Sequence, residues 1–164
     1  MIITADRLRE VLQYDEETGV FTWKTDISRN VKAGSIAGST NDLGYVLIGI
    51  DGRHYYGHRL VWLYRTGFFP KWQIDHINGV RNDNRAVNLR EATSSQNNIN
   101  KRKREGSASD LKGAYFHRRV GKWTTNIRMQ GKVMHLGYFD TPEEAHAAYA
   151  AAAEKHYGEF ARLA

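Results

Sequence analysis

The sequence contains no cysteine, only two prolines and no long apolar run. Without cysteine there are no disulfide staples and no thiolate zinc sites. No stretch approaches the roughly 20 apolar residues that a membrane-spanning helix needs. The opening segment MIITADRLREVL lacks the basic start and long apolar core of a secretion signal. These absences lead us to expect a soluble, cytoplasmic protein. The 164 residues are 41% hydrophobic and 26% charged. That is an ordinary globular composition, sufficient for one medium domain or two small ones with a modest core.

What the sequence does have is an uneven basic excess. The net charge of +6 points to an acidic partner such as nucleic acid. Residues 1–100 hold 12 Lys/Arg against 11 Asp/Glu, residues 101–135 hold 10 against 2, and residues 136–164 hold 2 against 5. Almost the whole excess therefore lies in one 35-residue block. A charge run on its own is often only a solvated face.

Local patterns set out the elements. Ile3 to Gln13 reads as an amphipathic helix capped by Thr4, with Leu8, Val11 and Leu12 on one side. Thr18 to Trp23 reads as a turn and strand, and residues 26–42 as loop. Gly44 to Ile50 is a strand that turns at Asp51-Gly52 into Arg53–Tyr56. His58 to Arg65 is rich in large apolar residues, with Gly67 as a helix end. Thr93 to Gln96 has capping-box spacing, so a helix begins near Ser94. Thr141-Pro142-Glu143-Glu144 is a stronger start, for a helix through the alanines to about Tyr157. Along residues 122–130, Trp123, Thr125, Ile127 and Met129 face one way. Lys122, Thr124, Asn126, Arg128 and Gln130 face the other. With a turn at Gln130-Gly131, this is a small antiparallel sheet with one apolar and one basic, polar face.

Polar chemistry concentrates between residues 74 and 98. Ile74-Asp75-His76-Ile77-Asn78-Gly79 is followed by Asn82-Asp83-Asn84-Arg85, Asn88-Leu89-Arg90, and Gln96, Asn97 and Asn98. Asp, His and Asn are the types that a hard divalent metal and a general base near a phosphodiester require. Asn78, Asn82, Asp83 and Asn84 read as turn residues. His54 and His58 stand four apart, but Gly57 separates them and no acidic partner of the HExxH type is present, so His58 reads as structural. Neighbours on a regular strand point to opposite faces. Asp75 and His76 can share a site only at a strand end or bulge, so local irregularity is expected there.

The order and spacing of Asp75-His76, Asn88-Leu89-Arg90 and Asn97 resemble the HNH endonucleases of the phage homing type. Tyr14-Asp15, Glu17-Thr18-Gly19, Gly44-Tyr45-Val46, His58-Arg59-Leu60 and Trp62 extend the resemblance upstream, over about residues 4–100. It implies a ββα-metal (His-Me finger) fold whose helix starts near Ser94. It also implies His76 as general base, Asp75 and Asn97 as ligands of one divalent metal (Mg²⁺ first, Mn²⁺ second), and Asn88 as the middle Asn bracing the loop. The family resemblance further implies 5′-phosphate and 3′-hydroxyl products. One such site cuts one strand, so a monomer would nick.

Residues 112–161 resemble an AP2 domain of the phage and bacterial kind. The resemblance is carried by Lys112-Gly113, Lys122-Trp123, Ile127-Arg128, Leu136-Gly137-Tyr138-Phe139, Thr141, Glu144-Ala145, Ala148-Tyr149, Ala152, Gly158 and Phe160-Ala161. It implies a three-stranded antiparallel sheet packed on one helix and placed in the DNA major groove. Candidate DNA contacts are Lys112, Tyr115, His117, Arg118, Arg119, Lys122, Thr124, Asn126, Arg128 and His135, joined by Lys101, Arg102, Lys103 and Arg104 on the backbone.

The expected protein is α+β, with a nuclease domain at 1–100, a basic linker at 101–110 and an AP2 domain at 111–164. Its expected activity is site-specific, metal-dependent DNA cleavage on double-stranded DNA, as a monomer without a membrane or an evident protein partner. The rival reading is a non-catalytic DNA-binding regulator on a degenerate scaffold. A structured-RNA binder is a weaker third, since no RNP-like aromatic motif is present.

Overall fold

The computed structural model describes residues 2–101, 109–129 and 131–163. The expectations placed on Arg102, Lys103, Arg104 and Gln130 lie outside the described residues. The chain divides into two compact units, Met1–Ser94 and Ser95–Ala164.

The first unit opens with α1 (Ala5–Val11), whose Thr4 side chain accepts from the Arg7 backbone N–H at 3.2 Å. This helix stops short of the expected Gln13, because Leu12–Tyr14 forms β1 and pairs antiparallel with β2 (Phe21–Trp23). The Leu12↔Trp23 and Tyr14↔Phe21 pairs bury all four side chains, which favours the paired strand. β3 (Ser39–Thr40), β4 (Val46–Ile50) and β5 (Arg53–Tyr56) form a second antiparallel sheet. Its two-residue turn, with φ of 50° at Asp51 and 74° at Gly52, suits the right-handed strand twist. α2 (Gly57–Thr66) follows and ends at Gly67. Leu8, Leu12, Ile48, Leu60 and Val61 form the centre of this unit's core.

β6 (Gln73–His76) pairs antiparallel with β7 (Leu89–Ala92), with a 3-10 turn at Ala86–Asn88 between them. α3 (Ser94–Ile99) starts on the last residue of the first unit, where Ser94 accepts from Gln73 at 3.2 Å.

In the second unit, β8 (Tyr115–His117), β9 (Lys122–Met129) and β10 (Lys132–Phe139) form one antiparallel sheet with β9 central. α4 (Pro142–Tyr157) packs against it. The helix start has the reciprocal capping box: Thr141 accepts from the Glu144 backbone N–H, and Glu144 accepts from that of Thr141. Ile127, Tyr149 and Ala153 make the small core. A β-carbon on Gly113 would lie 2.6 Å from Tyr149 Cδ2, so only glycine lets the chain cross this ring. The molecule thus combines helices with small antiparallel sheets, each sheet local to its own unit.

Candidate functional site

The β6–β7 ladder runs in unbroken register from Gln73↔Ala92 to His76↔Leu89, and His76 is the last residue of its strand. The expected irregularity is a strand end, not a bulge. Asp75 and His76 are both buried, 4% and 5% exposed. They take different partners, as neighbours on a pleated strand do. Asp75 faces its cross-strand neighbour Arg90, whose Nε and guanidinium NH2 donate to Oδ2 at 3.0 and 2.9 Å. His76 Nε2 lies 3.1 Å from Asn84 Oδ1. Burial pushes His76 below its ordinary value, while the Asn84 bond and the Asp75 carboxylate pull the other way. The ring is therefore neutral at pH 7.

Asn88 holds the loop between the two strands. Its amide donates to Asp83 O at 2.8 Å, its side-chain oxygen accepts from Asn78 N at 2.9 Å, and its carbonyl accepts from Ile77 N at 2.9 Å. Asp83, paired with Arg85 at 2.6 Å, is held at about 2, and Asn78 donates to it as well. These groups are turn chemistry, as expected of Asn78 and Asp83.

Asn84 is different. The turn-residue reading of it is corrected: it is 3% exposed and turns its side chain inward onto His76. His58 has the structural, helix-start place expected of it. It lies in the first turn of α2, buried, with its ring edge-on to His76 at 5.1 Å between centroids. Its Nδ1 has no hydrogen-bond partner among the described residues, and burial lowers its pKa to about 3. Tyr45 packs against both His58 and His76. Arg81 lies over the Tyr45 ring at 5.0 Å and donates to Leu43 O at 2.8 Å. Its charge also opposes protonation of His76. The sequence signals for these residues were weak: a His four after another, and one Asn among several.

Asn97 lies on α3, within the second unit. Among the described residues no three His, Cys, Asp or Glu gather as a metal cluster. The available donors, a buried Asp carboxylate and Asn amide oxygens, are hard oxygens of the kind Mg²⁺ and Mn²⁺ accept.

The second unit carries its other candidates on the outer sheet face, but Thr124 is buried there at 6% exposure, a correction to its expected DNA contact. Register places Tyr115 opposite Thr124 and His117 opposite Lys122. On the other edge His135 is opposite Asn126 and Val133 opposite Arg128. A shift between His135 and Gly137 then brings Tyr138 opposite Thr124, on this same face. Simple alternation along β10 misses Tyr138, because the extra residue changes the parity of the strand. Tyr138 packs edge-on to His117 at 5.6 Å and tilted on His135 at 4.7 Å. Thr124 donates to Gly137 O at 3.0 Å and so accepts from His135 Nε2 at 2.8 Å.

Arg118 and Arg119 are exposed in the turn after β8, and Lys122 pairs with Asp140 at 2.8 Å. Lys112 is more enclosed than a displayed phosphate contact. Its ammonium donates to Ile99 O and Lys101 O, both at 2.9 Å, and burial lowers its pKa to about 8. Lys101 is exposed.

A family model described as HNH endonuclease matches residues 55–99. The matched segment contains His58, Asp75, His76, Asn84, Asn88 and Asn97. It supports an HNH nuclease in this part of the chain, with DNA as the substrate that such a nuclease implies. No solved structure matches the chain. No helix among the described residues is long and apolar enough to cross a membrane.

Proposed function

We propose that this chain is a metal-dependent, site-specific DNA endonuclease of the homing type, cutting with its HNH-matched segment and holding DNA with the β8–β10 sheet. The observation that carries the reading is a buried, neutral His76, oriented through Nε2 and standing beside Asp75 within the HNH-matched segment. A neutral imidazole takes a proton from water near pH 7, and the hydroxide character so produced attacks the phosphorus. Asp75 and Asn97 would hold one divalent metal, Mg²⁺ or Mn²⁺, which when bound would offset negative charge on the phosphate and the departing 3′ oxygen. Arg81, fixed by Leu43 and Tyr45, sets a cation near His76 where an incoming phosphate is attracted. Asn88 keeps the loop shaped, through its three hydrogen bonds.

We read the second unit as an AP2-type module whose outer sheet face lies in the major groove. Asn126 and Arg128 stand centrally on that face, and each matches a known base-edge pairing, adenine for Asn and guanine for Arg. Arg118 and Arg119 would hold phosphates. A monomer with one such site nicks one strand.

One observation favours the non-catalytic alternative: Asp75 already has Arg90 as its counter-charge. Supercoiled plasmid bearing candidate sites separates the two. We expect open-circular product with Mg²⁺ or Mn²⁺ and none in EDTA. Tight DNA binding without nicking under any divalent metal would replace the nuclease reading with the regulator.

A further inference from the structure

We infer that Asn84 is the positioning residue of His76, and that the N-terminal hairpin, outside the HNH-matched segment, holds Asn84 in place. The inference rests on His76 being the base and specifies how its ring is set. Neutral imidazole carries its proton on one nitrogen and its lone pair on the other, and the partner of one nitrogen decides which. Asn84 presents its amide oxygen to Nε2 at 3.1 Å in a buried setting. An oxygen there accepts only from Nε2–H, so the basic lone pair is assigned to Nδ1.

The amide is not free to turn or drift. A β-carbon on Gly57 would lie 2.8 Å from Asn84 Nδ2, so the start of α2 closes against the amide. From the opposite side of the chain, the Tyr14 hydroxyl at the end of β1 donates to Asn84 O at 2.9 Å. A β-carbon on Gly19, in the turn between β1 and β2, would come within 2.6 Å of the Asn84 carbonyl carbon. Two glycines and one tyrosine thus enclose this residue, and two of the three lie outside residues 55–99. Turn chemistry alone requires none of that enclosure. An asparagine serving only the turn would also gain from pointing its side chain to water.

The test is the ¹⁵N-detected NMR of the His76 ring in the full chain at neutral pH, with nicking of supercoiled plasmid in Mg²⁺ measured beside it. In the unaltered protein we expect Nε2 protonated, Nδ1 without a proton, and an Nε2 proton protected from exchange. Asn84→Asp keeps an accepting oxygen and should keep that proton. Asn84→Ala should lose the protection and slow turnover by about 10- to 100-fold at unchanged DNA affinity. A ring protonated on Nδ1 in the unaltered protein, or the same protected proton in Asn84→Ala, overturns the assignment. If Asn84→Ala does not fold, the spectra of the unaltered protein and Asn84→Asp decide alone. The spectra do not depend on cleavage. Loss of the base reading, with His76→Ala nicking normally, would remove the expected effect of Asn84→Ala on turnover, while the spectra alone would still decide whether Asn84 sets the ring.

Discussion

At the scale of single residues, two buried groups make separate demands. His58 has a folded pKa of about 3, against about 6.5 in an unfolded chain. The unfolded state therefore binds more protons between these values, and stability falls as pH drops through that window. We expect His58→Leu to flatten denaturant-derived stability between pH 6.5 and 4, by up to about 1.4 kcal/mol per pH unit. An unchanged slope would show that His58 does not titrate through folding. Thr125 sits fully buried with a hydroxyl that has no hydrogen-bond partner among the described residues. Thr125→Val replaces that hydroxyl by a methyl of similar size and should stabilise the second unit by about 1 kcal/mol, seen as a higher Tm. Site residues were legible unevenly at this scale. Asp75, His76, Asn88 and Asn97 stand at a spacing that a sequence displays directly. The partnership of His76 with Asn84 and His58 does not, because it needs a loop to fold back and α2 to pack against β6.

At the scale of elements, what sequence revealed was what is local. The Thr141-Pro142-Glu143-Glu144 start of α4 is a self-contained capping device, and it is present. Thr141→Ala should cost about 1 kcal/mol, by chemical denaturation of the full chain. The alternation of β9 shows in the buried Thr125 and Ile127 and the exposed Lys122 and Arg128, and it fails at Thr124, which is buried on the outer face by its bonds to Gly137 and His135. Two features were hidden because each depends on a partner strand. Leu12–Tyr14 leaves the helix only because Phe21–Trp23 is there to pair with it. Tyr138 joins the outer face only because β10 carries one extra residue against β9. Tyr138 was absent from the expected DNA contacts, and its place on that face leads to a further expectation. Tyr138→Ala should weaken DNA binding while leaving the Tm nearly unchanged, since the ring is about half exposed at 47%. Unaltered affinity would remove Tyr138 from the proposed interface.

For the whole molecule, the charge is divided unevenly between the two units. The first holds 12 Lys/Arg against 11 Asp/Glu, and the second 12 against 7. Binding should therefore be salt-dependent mainly through the second unit. Arg118→Ala with Arg119→Ala should lower affinity for all sequences alike and reduce the slope of log K against log salt by about 2. A preserved slope would place the phosphate contacts elsewhere.

The central claim is that a nearly uncharged His-Asp-Asn site cuts DNA that a basic module holds. Its most direct measurement is the nicking rate of supercoiled DNA by His76→Ala in Mg²⁺, with DNA affinity measured on the same preparation. We expect affinity to match the unaltered protein while nicking falls by about 10² or more, the loss of a general base. Equal nicking by His76→Ala would contradict the claim.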